Sequence, residues 1–382
     1  MIQSKKIYRE TPSGIHKVVY LNWPVLLLII TVANLGFLIL YSVADGSLKP
    51  WAEPQIVRFS IGFLLIILIS VIHINFWKKI SLITYIISLV LLVFVLYFGI
   101  TGGGAKRWLD IKFVVLQPSE LMKLALVMML AAYYDWLKPE RTSHIFWVAI
   151  PTSIILLPAG LVIIQPDLGT GLLIAFLGIS VMFLAGVSWW YFIVAFSLIP
   201  VIIATVWISR GKTWQFLTDY QYRRIDTFLD PSLDPLGSSY HITQSKIALG
   251  SGGFTGRGFM QGTQSQLNFL PRNHTDFIFT TLAEEFGFLG AISLLTIYAL
   301  IIVFSMISAI QNKSRFGSIL TGGLTINFFS YFAVNIAMVM GLAPVVGVPL
   351  PLISYGGSAM LVLLASFGLM QSAHVHRLRY KN

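Results

Sequence analysis

The feature that most constrains this chain is a succession of apolar runs, each close to the length of a membrane-spanning helix. A helix needs roughly 20 apolar residues to cross the hydrocarbon core of a bilayer. We find about ten such runs and predict one spanning helix in each. Their predicted bounds are 23–43, 56–75, 80–100, 119–135, 144–164, 168–186, 189–209, 276–309, 317–341 and 354–374.

Composition excludes a soluble fold. Charged residues make up 11% of the 382 residues and hydrophobic residues 56%, whereas a soluble domain has about 25% charged residues. We therefore predict an all-α, polytopic membrane protein whose residues 1–382 form a single integral membrane domain. The chain has no cysteine, which excludes disulfides, thiolate metal sites and cysteine nucleophiles. In such a protein the net charge of +11 favours contact with anionic lipid, and we predict no nucleic-acid partner.

Both ends of the chain are basic, with Lys5, Lys6 and Arg9 near the start and Arg377 and Arg379 near the end. Short cytoplasmic segments carry an excess of lysine and arginine, so we predict that both termini are cytoplasmic. An even number of spans agrees with this prediction, because it returns the chain to the side on which it began.

One connection is much longer than the others. Residues 210–275 join the predicted spans seven and eight on the outer side of the membrane. Loops longer than about 15 residues are uncommon unless they are functional. The stretch 240–249 is amphipathic and could lie on the membrane surface with its apolar face down. We expect any chemistry to take place at this large extracytoplasmic loop.

Charged residues inside the spans need an explanation, because each costs around 3 kcal/mol to insert near the bilayer centre. Glu120 and Lys123 lie three residues apart on one helix face. They form an internal ion pair or line a cavity, and the two interpretations are compatible. Asp167 lies between spans five and six, where it is typical of a helix N-cap. Of Glu284 and Glu285, at least one is expected to face the interior, with Lys123 as a candidate partner.

Asp276 stands where the long loop becomes the eighth span. The helix macrodipole favours a carboxylate at the start of a helix, which is one explanation for this position. The other explanation is functional, because the residue meets both the basic loop and the membrane surface. It is placed to act on a substrate whose tail lies in lipid and whose head lies in water.

Nine residues rich in glycine, 250–258, resemble a phosphate-binding loop only superficially. They lack the Gly-Lys-Ser/Thr ending, and no strand precedes them within a βαβ unit, so the pattern does not favour nucleotide binding. Glycines here are typical of tight turns with positive φ, and a backbone cradle for a lipid phosphate stays open. The histidines show no metal-binding spacing.

Longer motifs are more specific. They comprise residues 103–109, 117–120 with Lys123, 165–170, Arg224 with 228–231, 234–237 with Tyr240, 244–245, 250–258, 269–271, 274–277 and 349–358. Together they resemble the SEDS family of membrane proteins, which includes the elongation protein RodA and the division protein FtsW. The resemblance covers nearly the whole chain. Residues 262–266 and 344–349 are similar to the elongation branch, whereas Arg272 stands where the family usually has glutamate.

The resemblance implies a peptidoglycan glycosyltransferase of the cytoplasmic (inner) membrane. It would polymerise lipid II into glycan strands on the outer side, during cell-wall elongation and cell-shape maintenance. Its implied partners are a class B penicillin-binding protein, which cross-links the strands, and other membrane proteins of the elongation complex. Two alternatives stay open, a lipid II flippase and a non-catalytic scaffold of the elongation machinery.

The resemblance also assigns roles to residues. Asp276 matches the catalytic aspartate of the family and is interpreted as the general base. Candidate substrate-binding residues are Arg107, Lys123, Glu120, Arg224, Gln244, Ser245, His274, Thr275 and Ser354. A divalent cation, Mg²⁺ or Mn²⁺, could share the work of neutralising the diphosphate, although the sequence contains no dedicated metal motif.

Overall fold

The structure is a computed structural model and describes residues 14–102, 105–110, 115–230, 232, 238–266 and 273–377. Arg272, residues 269–271 and residues 234–237, to which the family motifs drew attention, lie outside these described residues.

Ten of the described helices correspond to the ten predicted spans. They are α1 (Trp23–Val43), α2 (Ala52–Val71), α3 (Ile74–Phe98), α4 (Pro118–Trp136), α5 (Ile145–Ile164), α6 (Leu168–Leu184), α7 (Trp189–Ser209), α11 (Ile278–Gln311), α12 (Arg315–Val339) and α13 (Ser358–Val375). Eight of them are long and apolar enough to cross a membrane. The other two are α6, which is shorter, and α4, which carries charged residues. The prediction of a mostly helical, multi-pass membrane protein is confirmed.

Some predicted bounds are wrong at polar ends. Helix α2 begins at Ala52 instead of residue 56, and α3 begins at Ile74 instead of residue 80. The apolar runs exclude Glu53 of α2 and Lys78 and Lys79 of α3, but a helical backbone continues through such residues where their side chains reach water or a partner. Helix α13 begins at Ser358, later than predicted, because the preceding residues form a bent, non-helical entry.

The centre of the bundle is formed by α4, α12 and α13. In an 18-residue stretch of α13, 72% of the residues are buried inside the protein. In the corresponding stretch of α7 only 11% are buried, which places α7 at the periphery. The first and last described segments meet at one end of the bundle, where the Asn22 amide donates to Gln371 Oε1 at 2.7 Å. The connection between α7 and α11 lies at the opposite end, which we call the loop end.

The loop end contains two features that the sequence did not predict. The first is a small antiparallel sheet, β1 (Ile100–Gly102), β2 (Ala105–Asp110) and β3 (Val115–Leu116), between α3 and α4. The second is the helical content of the long connection, which contains α8 (Asp219–Leu229), α9 (Ser238–Ser251) and α10 (Thr263–Gln266). The sheet presents residues of β2 to the centre of the loop end.

Helix α9 packs against α11 and α12 with a polar contact. The hydroxyl of Ser245 is fully buried, lies 2.9 Å from Thr280 Oγ1 and donates to the Val339 carbonyl at 2.9 Å. Ile247, in contrast, is exposed. The face of α9 that packs against the bundle thus contains Ser245 and the fully buried Ala248, and the apolar-face-down position of residues 240–249 on the membrane stays a prediction.

The glycine run explains an interruption in α11. Gly287 has φ 65° and ψ −160°, so the helix breaks there. The run packs its backbone into the break, where Arg257 N donates to the Glu284 carbonyl and Gly258 N to the Glu285 carbonyl, both at 3.0 Å. A Cβ atom at Gly256 would lie 2.1 Å from the Glu285 carbonyl oxygen. The glycines thus allow a close backbone approach and are used for packing.

Candidate active site

Asp276 lies two residues before α11, and its side chain is only 7% exposed. The N-cap of α11 is Phe277, so Asp276 lies directly before the cap, at the helix end where the macrodipole favours a carboxylate. Asn335, fully buried in α12, donates to the backbone carbonyl of Asp276 at 2.9 Å and to that of Val348 at 2.7 Å. One amide group therefore joins the catalytic candidate to the segment before α13.

Asp276 lines a cavity of about 350 Å³ at the loop end. The walls come from β2, α8, the segment before α11 and the segment before α13. The lining residues are Arg107, Trp108, Gln117, Arg224, His274, Thr275, Asp276, Val345, Val346, Gly347, Pro349, Tyr355, Gly356, Gly357 and Ala359. Residues far apart in the sequence thus bring one carboxylate and two guanidinium groups into a single concave site.

Arg107 is held by a carboxylate on the other side of the cavity wall. Its Nε lies 3.3 Å from Asp167 Oδ2, an ion pair without the alignment of a hydrogen bond. Asp167 is also the N-cap of α6, where it accepts from the Thr170 amide at 3.4 Å and from the Thr170 hydroxyl at 2.9 Å. The predicted cap is confirmed, and the same carboxylate orients an arginine of the site.

Arg224 enters the cavity from α8. Its Nη1 donates to the Val345 carbonyl at 2.9 Å, which fixes the guanidinium against the segment that precedes α13. The residue also lines a smaller, mostly apolar cavity of about 80 Å³ beside α6. Arg224 therefore stands between a polar cavity and an apolar one, a position that suits the headgroup of an amphipathic ligand.

Aromatic rings and backbone hydrogen bonds fix the segment that carries Asp276. Trp51 stacks on His274 with the ring centroids 3.8 Å apart and an angle of 10° between the planes. The Tyr355 amide donates to the His274 carbonyl at 2.9 Å. The Ser354 hydroxyl donates to the Thr275 carbonyl at 2.6 Å and accepts from the Leu350 amide at 2.7 Å.

Glu120 and Lys123 form an ion pair inside the bundle. Lys123 Nζ lies 2.8 Å from Glu120 Oε1, and both side chains are less than a tenth exposed. The Tyr331 hydroxyl donates to the second carboxylate oxygen of Glu120, and the Lys123 ammonium lies 4.1 Å from the centroid of the Tyr331 ring. The internal pairing predicted for these residues is confirmed.

Comparisons with known proteins agree with this architecture. A family model for FtsW, RodA and SpoVE, described as cell cycle protein, matches residues 21–379. The peptidoglycan glycosyltransferase MrdB of Escherichia coli (strain K12) is 42% identical over 361 residues, which cover 94% of this chain and 95% of that protein. MrdB of Helicobacter pylori is 36% identical over 364 residues, which cover 93% and 90%.

The chain belongs to the FtsW/RodA/SpoVE family.

Two solved structures share the fold. The crystal structure of Thermus thermophilus RodA aligns with a TM-score of 0.69 at 26% identity and covers 94% of this chain and 98% of that one. A chain from a structure described as "Structural coordination of polymerization and crosslinking by a peptidoglycan synthase complex" aligns with a TM-score of 0.79 at 29% identity. That alignment covers 93% of this chain and 97% of the other.

The family motifs do not all meet at the cavity. Five of the predicted site residues line it, namely Asp276, Arg107, Arg224, His274 and Thr275. Ser354 supports the Thr275 backbone from behind. Two pairs are not among the residues that line it, Glu120 and Lys123 of α4 and Gln244 and Ser245 of α9.

Several residues of the site were not predicted. Gln117 and Tyr355 stand inside the family motifs and could have been selected from them. Trp51 and Asn335 carry no local signal, because each acts through a partner far away in the sequence.

Glu284, within α11, accepts from the Gln264 amide at 2.8 Å, and the Ser42 hydroxyl donates to Glu285. Both acids thus face the interior, and neither pairs with Lys123, which is bound to Glu120.

Proposed function

We propose that this chain polymerises lipid II into glycan strands during cell-wall elongation and cell-shape maintenance, with Asp276 as the general base. It is a peptidoglycan glycosyltransferase of the FtsW/RodA/SpoVE family, as its relatives are. The observation that carries the assignment of roles is the cavity itself, which is lined by one buried carboxylate and two arginines.

The reaction transfers a sugar between two lipid-linked molecules. The 4-hydroxyl oxygen of the acceptor sugar attacks C1 of the donor sugar, and the bond from C1 to the diphosphate oxygen breaks. Asp276 takes the hydroxyl proton, and undecaprenyl diphosphate leaves with the bonding electrons. Arg107 and Arg224 stabilise the negative charge on the departing diphosphate, since guanidinium groups bind phosphate oxygens in a bidentate manner.

The buried charges outside the cavity favour an enzyme over a flippase. A flippase would use charges along a path through the membrane, for which Glu120, Lys123 and Glu284 are the candidates. Each of the three is engaged by protein groups, Glu120 and Lys123 by each other and Glu284 by the Gln264 amide. A scaffold, in turn, would not need a carboxylate and two arginines in one cavity.

A divalent ion could assist the departure of the diphosphate. Among the described residues no cluster of three or more histidine, aspartate or glutamate side chains could hold a metal by itself. One carboxylate can nevertheless bind Mg²⁺ together with substrate phosphates, and Asp276 is the carboxylate that lines the cavity. Such an ion, Mg²⁺ or Mn²⁺, would supply charge neutralisation, and activity measured with EDTA and after adding either ion back tests this.

The proposed setting is the cytoplasmic (inner) membrane, with both termini in the cytoplasm and the loop end outside. We propose a class B penicillin-binding protein as the cross-linking partner, together with other membrane proteins of the elongation complex. The solved structure described as "Structural coordination of polymerization and crosslinking by a peptidoglycan synthase complex" supports such an arrangement, because one chain of that complex has the same fold as this protein.

The decisive experiment supplies lipid II on the outer side of vesicles that contain the purified protein and its partner. Wild-type protein should form glycan polymer, and Asp276→Asn should lower the rate at least about a hundredfold, as removal of a general base does. Asp219→Asn is the matched control, because it makes the same change on the exposed start of α8. Wild-type polymerisation by a folded Asp276→Asn protein would refute the role of Asp276.

A further inference from the structure

A third arginine lies near the cavity, on the α2 side. Arg58 is six residues from the start of α2, about 9 Å along the helix axis from the loop end. Its guanidinium carbon lies 4.7 Å from the centroid of the Tyr355 ring. Its Nη1 is buried and has no hydrogen-bond partner within the described part of the chain. A buried cationic donor of this kind in a membrane protein calls for an anionic ligand.

Arg58 lines an open groove of about 420 Å³ together with Lys49, Pro50, Glu53, Pro54 and Val57. The two cations outnumber the one carboxylate, so the groove has a net charge of +1. Lys49 Nζ lies 3.7 Å from Glu53, but both side chains are at least half exposed, and an exposed pair of this kind is weak. Lys49 can therefore turn toward a phosphate in the groove.

Below the groove, α2 presents an apolar stripe. Val57, Ile61, Leu64 and Leu68 follow one another at helical spacing, and each is more than half exposed. Helix α2 packs against α1 and α13 on its other side. An anion-binding groove above a lipid-facing apolar stripe fits a molecule with a phosphate headgroup and a long hydrocarbon tail.

The groove and the active-site cavity share a wall. Tyr355 lines the cavity that contains Asp276, and its ring carries the Arg58 guanidinium. Trp51 follows directly after Pro50 of the groove and stacks on His274 of the cavity. A headgroup bound at Arg58 would therefore have its attached sugar beside these rings and close to Asp276.

We propose that Arg58 and Lys49 bind the diphosphate of a second lipid-linked substrate, on the α2 side of the cavity, whereas Arg224 enters the cavity from α8. This inference rests on the proposed function, in which donor and acceptor each carry a lipid-linked diphosphate. Arg224 then serves one substrate and Arg58 the other, with Asp276 between the two sugars.

The test counts bound ligands in the intact protein. Undecaprenyl diphosphate, which has no sugar to transfer, is titrated into protein in nanodiscs and counted by native mass spectrometry. Wild type should bind two molecules, whereas Arg58→Gln and Arg224→Gln should each bind one with wild-type affinity and the other at least tenfold more weakly. Lys212→Gln, which removes an outer cation that lies over the Trp214 ring, should still bind two.

Two further arms protect the interpretation. Arg58→Lys keeps the charge and should retain most of the second binding event, and Lys49→Gln weakens it if Arg58→Gln does not fold. Two undecaprenyl diphosphates bound with wild-type affinity by folded Arg58→Gln would overturn the proposal. So would a variant that loses only its bound phosphatidylglycerol and keeps both undecaprenyl diphosphates. Absence of polymer from wild type with lipid II would instead refute the proposed function, whatever the binding count.

Discussion

Replacement of Lys123 by methionine should destabilise the protein by about 3 kcal/mol, at the low end of the range for breaking a buried ion pair. The magnitude follows from the surroundings of Glu120. The substitution leaves its carboxylate buried at 6% exposure without the ammonium group that lies 2.8 Å away. The Tyr331 hydroxyl still donates to the other carboxylate oxygen, which offsets part of the cost.

The double variant Glu120→Gln with Lys123→Met should recover most of that loss. Both charges are then absent, and the glutamine oxygen can still accept from the Tyr331 hydroxyl. Glu120→Gln alone leaves Lys123 over the Tyr331 ring, 4.1 Å from its centroid, where cation–π attraction supplies about 1–2 kcal/mol. We expect a coupling energy of about 2 kcal/mol between positions 120 and 123.

The assay is unfolding by SDS titration, followed by the fluorescence of the 10 tryptophans. A double variant as unstable as Lys123→Met would refute the ion-pair explanation. The same four proteins are then tested for glycan polymerisation. A double variant that unfolds like wild type yet makes no polymer would show that the pair also contacts substrate. The unfolding measurement thus tests the ion pair, and the polymerisation measurement tests the contact with substrate.

Two more predictions concern the glycine run and the end of the bundle opposite the loop end. Gly256→Ala should cost about 2–4 kcal/mol, because its φ is +85° and a Cβ would lie 2.1 Å from the Glu285 carbonyl oxygen, whereas Gly250→Ala, with nothing within 4 Å, should be neutral in SDS unfolding. Burial lowers the pKa of His376 from 6.5 to about 4. The hydrogen bond to the Ser372 backbone opposes this shift, and the nearby His73 and Lys17 charges add to it. The contribution of His376 to the free energy of unfolding is therefore fully present above pH 6.5. It is lost as the pH falls toward 4, by about 1–3 kcal/mol. Replacing His376 by asparagine should flatten this decline; an unchanged pH profile would contradict it.

The spans could be predicted because the bilayer leaves few alternatives to an apolar helix. Hydropathy does not show where the helical backbone begins, however, since α2 starts four residues and α3 six residues before the predicted spans. The sheet at 100–116 was missed because its strands are short and follow a spanning helix directly.

The site was predicted in part. The positions of Asp276, Arg107 and Arg224 followed from the family motifs, and the structure brings them to one cavity. Trp51 could not be predicted, since its function depends on a ring more than two hundred positions away. Ser245 was predicted from its motif to contact substrate, and the structure shows its hydroxyl joining helices, so its role toward the substrate stays a prediction.

The glycine run links the fold of α11 to the position of the carboxylate in the active-site cavity. It fits its backbone into the break at Gly287, about three helical turns beyond Asp276, and the Phe288 amide in turn donates to the Gly253 carbonyl at 2.9 Å. The first part of α11 is thus held by the long connection as well as by the bundle. Because Asp276 directly precedes that part, a shift of the glycine run would move the carboxylate relative to the arginines. Glycine substitutions that still allow folding should then lower kcat more than they weaken lipid binding, since the cations at Arg58 and Arg224 lie on other elements.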